Sequence, residues 1–319
     1  MRIISSAEIE TAITHRGMIE AMRNAFRSQI IAPLRHHHHV ARPDRPDSDL
    51  LIMPAWTDFT AQGHSGRGYQ GVKIVTVTPD NARFSIPSVV GVYVLLSGET
   101  GMPLAIIDGR VLTLRRTAAA SALAASYLAR ADASRLLMVG AGALAPYLID
   151  AHAAMRPISE VLIWNRTPEA AKRLASAMKR DGIRISPTED LEGAARGAHI
   201  VSCATMSQAP VVKGAWIEPG THIDLVGGYR PDMRETDDEA IRKARVFVDV
   251  RDSVLTEAGD IMQPVENGIL DAEDIAADLF ELTRGEKSGR RFHDQVTLFK
   301  SVGSAIEDLA GAVHIFAQL

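Results

Sequence analysis

The spacing of apolar residues changes along the chain. Over residues 6–29, Ile9, Ile13, Met18, Ile19, Met22 and Phe26 recur at mostly helical spacing, interrupted near Gly17, which predicts two short helices packed on a sheet. From Leu50 onward the apolar runs are shorter and rich in β-formers: 50–53, 72–77, 89–96 and 104–107, parted by Gly, Pro, Asn and Asp. That punctuation predicts a meander or barrel-like sheet with no dinucleotide fold of its own. Residues 113–129, rich in Ala and Leu, predict one helix at the joint between two domains.

After that helix the pattern is regular. Strand 135–139, helix 143–155, strand 160–164, helix 168–179, strand 183–185, helix 188–195 and strand 199–203 alternate, the signature of a doubly wound parallel sheet. Two further strands, 222–226 and 246–250, flank a helix over 237–244, and 271–319 holds two helical segments. The last of these, with Ile306, Leu309, Ala310 and Val313 on one face, is expected to return to the first domain. The predicted class is α/β: a Rossmann-type sheet plus a separate α+β domain.

A length of 319 residues suits two such domains. With 46% hydrophobic and 23% charged residues the chain has a globular composition, and its net charge of −4 offers no electrostatic reason to bind nucleic acid. Cys203 is the sole cysteine, so no intramolecular disulfide and no all-cysteine metal site can form within one chain. The N-terminus has no apolar core of signal-peptide length and no stretch is long enough to span a bilayer, so the expected location is cytoplasmic, away from membranes.

The strongest chemical signal is Gly140-Ala141-Gly142-Ala143-Leu144-Ala145, a G-x-G-x-x-A run after an apolar strand and before a helix. Gly140 makes the tight turn, Gly142 lets a pyrophosphate approach the backbone, and the helix start offers unpaired N–H groups to it. At the end of the second strand, where a carboxylate would take a ribose 2′-hydroxyl, stands Trp164-Asn165-Arg166-Thr167. Asn165 and Arg166 there favour NADPH over NADH, although an arginine on such a loop also suits plain solvent.

Three cations in the first domain suit a carboxylate: Arg35, Lys73 and Arg116. Residue type alone places Lys73 on the solvated face of its strand and Arg116 in a surface salt bridge. The internal tetrad His36-His37-His38-His39 reads as a solvated β-edge or loop, since adjacent histidines of a strand face opposite ways and share a metal poorly. Cys203 reads as a small core hydrophobe.

From end to end the chain resembles the ornithine cyclodeaminase and mu-crystallin family. The segments that carry the resemblance are Met53-Pro54-Ala55, Val72-Lys73, Ile86-Pro87-Ser88, Leu112-Thr113-Leu114-Arg115-Arg116-Thr117-Ala118-Ala119, Val139-Gly140-Ala141-Gly142, Trp164-Asn165-Arg166-Thr167, Val226-Gly227-Gly228, Arg230-Pro231-Asp232-Met233-Arg234-Glu235 and Thr297-Leu298-Phe299-Lys300-Ser301-Val302-Gly303. The resemblance implies a homodimer, with a substrate-binding and dimerisation domain at 1–115 with 303–319 and a Rossmann domain at 116–302. It implies that Arg35, Lys73 and Arg116 hold a substrate carboxylate, with Tyr229 and Val302 also on the substrate side. It places Ser88, Arg116, Thr117, Ala143, Leu144, Thr205, Val226 and Ser301 against the cofactor, and it implies no metal.

Cyclodeaminases of this family carry a Glu two residues before the Met-Pro pair and an Asp after the Val-Gly-Gly run, carboxylates suited to proton transfer. This chain has Leu51 and Tyr229 at those places. The departure favours an NAD(P)H-dependent imine reductase that converts a small α-imino acid to an L-amino acid, with Lys73 nearest the reacting nitrogen. A cyclic ketimine such as Δ1-pyrroline-2-carboxylate would use an apolar floor of Leu51, Met53 and Trp56. A dicarboxylic imine such as iminosuccinate would need a further cation, for which Arg42, Arg45, Arg67, Arg230 and the histidine tetrad are candidates. An ammonia lyase, an alanine-dehydrogenase-like enzyme and a non-catalytic NADPH-binding protein remain as alternatives.

Overall fold

Short polar residues set the helix starts of the N-terminal segment. Ser5 caps α1 (Ser6–Ala12) in a reciprocal capping box with Glu8, and Thr14 caps α2 (His15–Arg27) by accepting the Gly17 N–H. Each cap satisfies donors that a helix start leaves open. The break between the helices therefore falls at Ile13 and Thr14, and not near Gly17 as apolar spacing predicts. Gly17 lies inside the first turn of α2, where an added Cβ would come within 3.0 Å of both the Thr14 hydroxyl and the His314 ring.

The structure is a computed structural model that describes residues 1–61 and 68–319; Arg67, a candidate second cation, lies outside the described residues. The chain divides into two units, Met1–Arg116 with Ser304–Leu319, and Thr117–Gly303. The division falls inside α3 (Gly109–Leu128).

In the first unit β1 (Arg2–Ile4), β2 (Ile30–Ile31), β3 (His36–Val40), β4 (Ser48–Thr57), β5 (Tyr69–Val77), β6 (Val89–Ser97) and β7 (Pro103–Asp108) form one sheet. Its order is β1-β7-β6-β5-β4-β2, with β3 along the other half of the β4 edge. Strands β4 to β7 are an antiparallel meander, and β1 joins β7 in parallel. Side chains alternate across a strand, so Gly71, Lys73, Val75 and Val77 of β5 point inward while Ile74 and Thr76 point out. The last helix of the chain (Ala305–Gln318) packs against β4, β5, β6 and α2. The histidine tetrad is a solvated strand edge: all of β3 is exposed, with His37 on Asp49 and His39 on Asp47 and Asp49.

The second unit comprises β8 (Arg135–Val139), α4 (Ala145–Met155), β9 (Glu160–Trp164), α5 (Pro168–Ala177), β10 (Arg184–Pro187), α6 (Leu191–Gly197), β11 (Ile200–Cys203), β12 (His222–Leu225), α7 (Asp238–Lys243), β13 (Arg245–Val248), α8 (Arg251–Glu257), α9 (Gly259–Glu266), α10 (Leu279–Arg284) and β14 (Thr297–Lys300). With these named, the C-terminal helix is α11. The strands are all parallel in the order β10-β9-β8-β11-β12-β14-β13. Chain order reverses between β8 and β11, the switch point at which a doubly wound sheet opens a crevice. Leu137, Val139, Val201, Cys203, Ile223 and Leu225 fill the core of this unit, and burial pushes the Cys203 thiol well up, so it is an inert core residue. No helix among the described residues is long and apolar enough to cross a membrane.

The apolar pattern misses β14, which lies between β12 and β13 in the middle of the sheet. Its four residues are wholly buried, so no polar face alternates with an apolar one, and one of them is Lys300. The Lys300 ammonium donates to Asp260 Oδ2 at 3.0 Å, with neither side chain exposed. Removing one partner of such a pair leaves an uncompensated buried charge. Asp260→Ala is therefore expected to cost about 3–5 kcal/mol, read as a lowered urea midpoint for the unfolding of this unit; a loss below about 1 kcal/mol would show the pair to be solvated.

Candidate active site

Strand β5 delivers Lys73 to the inner face of the first sheet, and this overturns the expectation of a solvated lysine: Lys73 is 2% exposed. Its ammonium lies 2.9 Å from Asp308 Oδ1 and 2.8 Å from Oδ2. Arg116, near the middle of α3, is also buried rather than on the surface. Its Nε donates to Asp308 Oδ1 at 2.9 Å and its Nη1 to Glu307 Oε2 at 2.7 Å. Glu307 and Asp308 sit in the first turn of α11, fully buried, where a helix start favours negative charge. Arg35, half-buried on the segment before β3, adds its field to both Lys73 and Asp308. Two of the three cations singled out by sequence thus meet on Asp308, and the third acts on it through its charge.

The electrostatics of this cluster follow from burial. Loss of water pushes the Lys73 ammonium down to about 8 against the pull of Asp308, with the Arg116 and Arg35 charges adding to the fall. Burial alone would raise the Asp308 carboxyl, but the Lys73 and Arg116 charges outweigh it and hold it below its usual range. Beside Lys73 in register on β6 stands Tyr93, whose buried hydroxyl has no hydrogen-bond partner among the described residues. Gly71 leaves room for that hydroxyl, since any Cβ there would collide with it. An orphaned buried hydroxyl next to a cation cluster is what a polar ligand would satisfy.

Sequence reasoning missed Asp308 and Glu307. Two adjacent acids in an otherwise apolar helix were the available signal, and an acidic first turn has an ordinary explanation in the helix dipole. Ser88 lies half-buried on the loop before β6 in the first unit, its carbonyl accepting the Thr78 N–H at 2.7 Å.

The remaining predicted positions belong to the second unit. Gly140 has φ +109°, and an added Cβ would stand 2.6 Å from the Ala204 carbonyl oxygen, so only glycine fits this turn. Nothing lies within 4 Å of a Cβ built on Gly142, and with Ala143 and Leu144 it leads into α4, which no side chain caps. The space over this backbone and its uncapped helix start fits a dinucleotide pyrophosphate. Asn165 braces the glycine turn: Oδ1 accepts the Ala141 N–H at 3.1 Å and Nδ2 donates to the Thr167 carbonyl at 3.0 Å. Arg166 is exposed beside it.

Thr205 follows β11, Val226 follows β12 and donates its N–H to Cys203, and Ser301 follows β14 and donates to the Leu225 carbonyl. All therefore stand at the carboxyl ends of the strands. Val302 is buried and its N–H donates to Asp249 Oδ2 at 2.9 Å. Tyr229 is half-buried and packs on the core of this unit. Thr117, in α3, is buried.

Known proteins give this geometry a context. The profile of the ornithine cyclodeaminase/mu-crystallin family matches residues 1–319. Protein SAR DEFICIENT 4 of Arabidopsis thaliana is 41% identical over 97% of this chain and 94% of its own length. The Delta(1)-pyrroline-2-carboxylate reductase of Paracoccus denitrificans is 39% identical over 85% of this chain and 83% of its own length. Among solved structures, Delta(1)-pyrroline-2-carboxylate reductase of Thermococcus litoralis, in complex with NADH and L-proline, superposes with TM-score 0.92 at 35% identity, covering 100% of this chain and 97% of that one. An archaeal alanine dehydrogenase dimer with bound NAD gives 0.89 at 32%, covering 100% and 95%. The iminosuccinate reductase of Paracoccus denitrificans with NAD+ gives 0.89 at 24%, covering 100% and 96%, a likeness of fold. The chain belongs to the ornithine cyclodeaminase/mu-crystallin family.

Proposed function

We propose that this protein is an NAD(P)H-dependent imine reductase that converts a cyclic α-imino acid of the Δ1-pyrroline-2-carboxylate kind to the L-amino acid. The observation that carries the reading is the buried cation cluster of the first unit with an unsatisfied hydroxyl beside it. Lys73 and Arg116 meet on Asp308 with the Arg35 charge acting on the same place, and the buried Tyr93 hydroxyl beside Lys73 has no hydrogen-bond partner among the described residues, a setting that suits one ligand carboxylate. The relatives that reduce pyrroline-2-carboxylate support the same reading. In a site of this kind the arginine fork fixes the plane of the substrate carboxylate, and such positioning is worth about 7–11 kcal/mol of barrier. Bound NAD(P)H supplies the hydride that the imine carbon takes up.

Lys73 is our choice for the group that gives the imine nitrogen its proton. With its pKa near 8 it is mostly charged at neutral pH yet readily deprotonated, which suits a general acid. A dicarboxylic imine is the weaker alternative, because most of the described candidates for a further cation already have partners. Arg42 bonds Asp80 and the Pro46 carbonyl, Arg45 stacks over Phe84, Arg230 pairs with Asp232, and His37 and His39 pair with Asp49 and Asp47. Deamination is disfavoured because buried Leu51 and half-buried Tyr229 stand where cyclodeaminases of the family carry acids.

Arg166, exposed beside the glycine turn, supports NADPH over NADH. We place the protein in the cytoplasm, as its single buried, free cysteine suits a reducing compartment. We also read it as a homodimer built on the outer face of the first sheet. There Ile74, Val90 and Val92 are each about 40% exposed and Ile52, Ile74 and Val92 are in register across three strands, a continuous apolar surface of the kind that marks an interface.

The test of the activity is dinucleotide oxidation, with NADPH and NADH in turn, over Δ1-pyrroline-2-carboxylate, pyruvate with ammonia, and oxaloacetate with ammonia. The cyclic ketimine should be turned over with at least a tenfold advantage in kcat/KM, since an unpaired second carboxylate costs at least about 1.4 kcal/mol; a preference for oxaloacetate with ammonia would overturn the monocarboxylate reading. Because Lys73 must be cationic, kcat/KM should be level at lower pH and fall above about 8. In Asp308→Asn the ammonium keeps its burial and its two arginine neighbours but loses the carboxylate that held its proton, so the falling limb should move to lower pH. An unmoved limb would take Lys73 out of the role. Finally, Ile74→Glu should convert a dimer into a monomer by light scattering on a sizing column, and an unchanged mass would place the interface elsewhere.

A further inference from the structure

Strands β11 and β12 run side by side in register from Ile200 opposite His222 to Cys203 opposite Leu225. Their continuations, Ala204-Thr205 and Val226-Gly227-Gly228, form part of the carboxyl-end rim of the second sheet. One side chain ties these loops together. Glu235, with no exposed surface, receives the Thr205 N–H at 2.7 Å and the Thr205 hydroxyl at 2.8 Å on Oε1, and the Gly227 N–H at 2.7 Å on Oε2.

The fit is close. A Cβ on Gly227 would collide with the Thr205 backbone and stand 2.5 Å from Glu235 Oε1. Ala204, one residue before Thr205, presents the carbonyl that excludes a side chain from Gly140. The glycine turn, the end of β11 and the end of β12 are thus in one chain of contacts, with Glu235 holding its far side.

Glu235 is itself anchored. Its own N–H donates to Asp260 Oδ1 at 2.8 Å, and Asp260 takes the Lys300 ammonium on its other oxygen. Its carbonyl accepts from Val211 and Val212 at 2.9 and 3.0 Å. Burial raises the Glu235 carboxyl against the pull of Lys300, with Asp260 adding to the rise. Core cohesion does not call for a carboxylate in such a place, because apolar packing would be cheaper. Geometry does call for one, since donors reach both oxygens and an amide would present only a single acceptor.

In a doubly wound sheet the dinucleotide crosses the rim at the switch point, with its pyrophosphate at the glycine turn and its two halves on opposite sides. The adenosine half goes to the β9 side, where Asn165 and Arg166 stand, which leaves the β11 and β12 ends to the nicotinamide half. We propose that Glu235 is a positioning residue that sets the spacing of the Thr205 and Gly227 loops and thereby the seat of the nicotinamide half of the cofactor. The proposal rests on the dinucleotide-dependent reading above.

The test uses the full chain and measures NADPH and NADH affinity directly, by energy transfer from tryptophan to the bound dihydronicotinamide, with no imine present. Glu235→Gln should satisfy one loop and repel the other, and Glu235→Asp keeps the charge but is a methylene too short to span both. Both variants should raise the dinucleotide Kd and KM roughly tenfold to a hundredfold, the scale of losing charge-assisted hydrogen bonds, with the imine KM within about twofold of the parent. A merely structural role would lower the yield of folded enzyme and its melting temperature without separating the two KM values. Should the Glu235 variants fail to fold, Thr205→Val, which removes only the hydroxyl donor, should still raise the dinucleotide Kd about threefold or more. An unchanged Kd in the folded variants, or an imine KM that rises in step with that of the dinucleotide, overturns the proposal. A parent enzyme that binds dinucleotide but reduces no imine would defeat the imine-reductase reading alone, and one that binds neither dinucleotide would defeat both.

Discussion

The first unit is organised around a buried carboxylate. Asp308 holds Lys73 and Arg116, and with Glu307 it brings β5, α3 and α11 to a common point. Buried ion pairs are a poor source of stability, since desolvation consumes most of the Coulombic gain. What they give is a fixed arrangement of charge. Here two acids neutralise part of the positive field and lower the cost of keeping Lys73 and Arg116 close together. The same arrangement keeps the Lys73 ammonium in the range where a proton can leave it.

A similar logic governs the rim of the second unit. Glu235 joins the Thr205 and Gly227 loops, Asp249 accepts the Val302 and Gly303 N–H groups at 2.9 and 2.8 Å, and Asp260 carries Lys300. Loops beyond a parallel sheet have backbone donors with no strand partner, and burying them without acceptors would be costly. Side-chain carboxylates supply those acceptors at fixed positions. The glycines at 140 and 227 let the backbone segments come close enough for this to work.

What the sequence makes legible follows from the same physics. The strands 135–139 and 160–164 are read to the residue, because buried runs of a parallel sheet end at sharp glycine and polar boundaries. The orientation of β5 is read the wrong way round. Its outer face carries Val72 and Ile74 in register with Pro54, Ile52, Val94 and Val92, so it is as apolar as the inner face, and a lone lysine on the strand then looks solvated. The apolar outer face that we assign to the dimer is thus the reason Lys73 is misplaced. β14 escapes because it is short, buried on both faces and ends in a paired lysine. Asp308 escapes because its partners lie 192 and 235 residues away in the chain, beyond anything local spacing can report.

In the function proposed above, the Asp308-centred cluster receives a single carboxylate. A crystal structure of the enzyme with reduced dinucleotide and pyrrole-2-carboxylate, a flat monocarboxylate that cannot be reduced as an imine, addresses it most directly. The ligand carboxylate is expected within hydrogen-bond distance, about 2.7–3.2 Å, of the Arg116 guanidinium and the Lys73 ammonium, with Asp308 still bound to both. A carboxylate seated on other residues, with the cluster untouched, would contradict it.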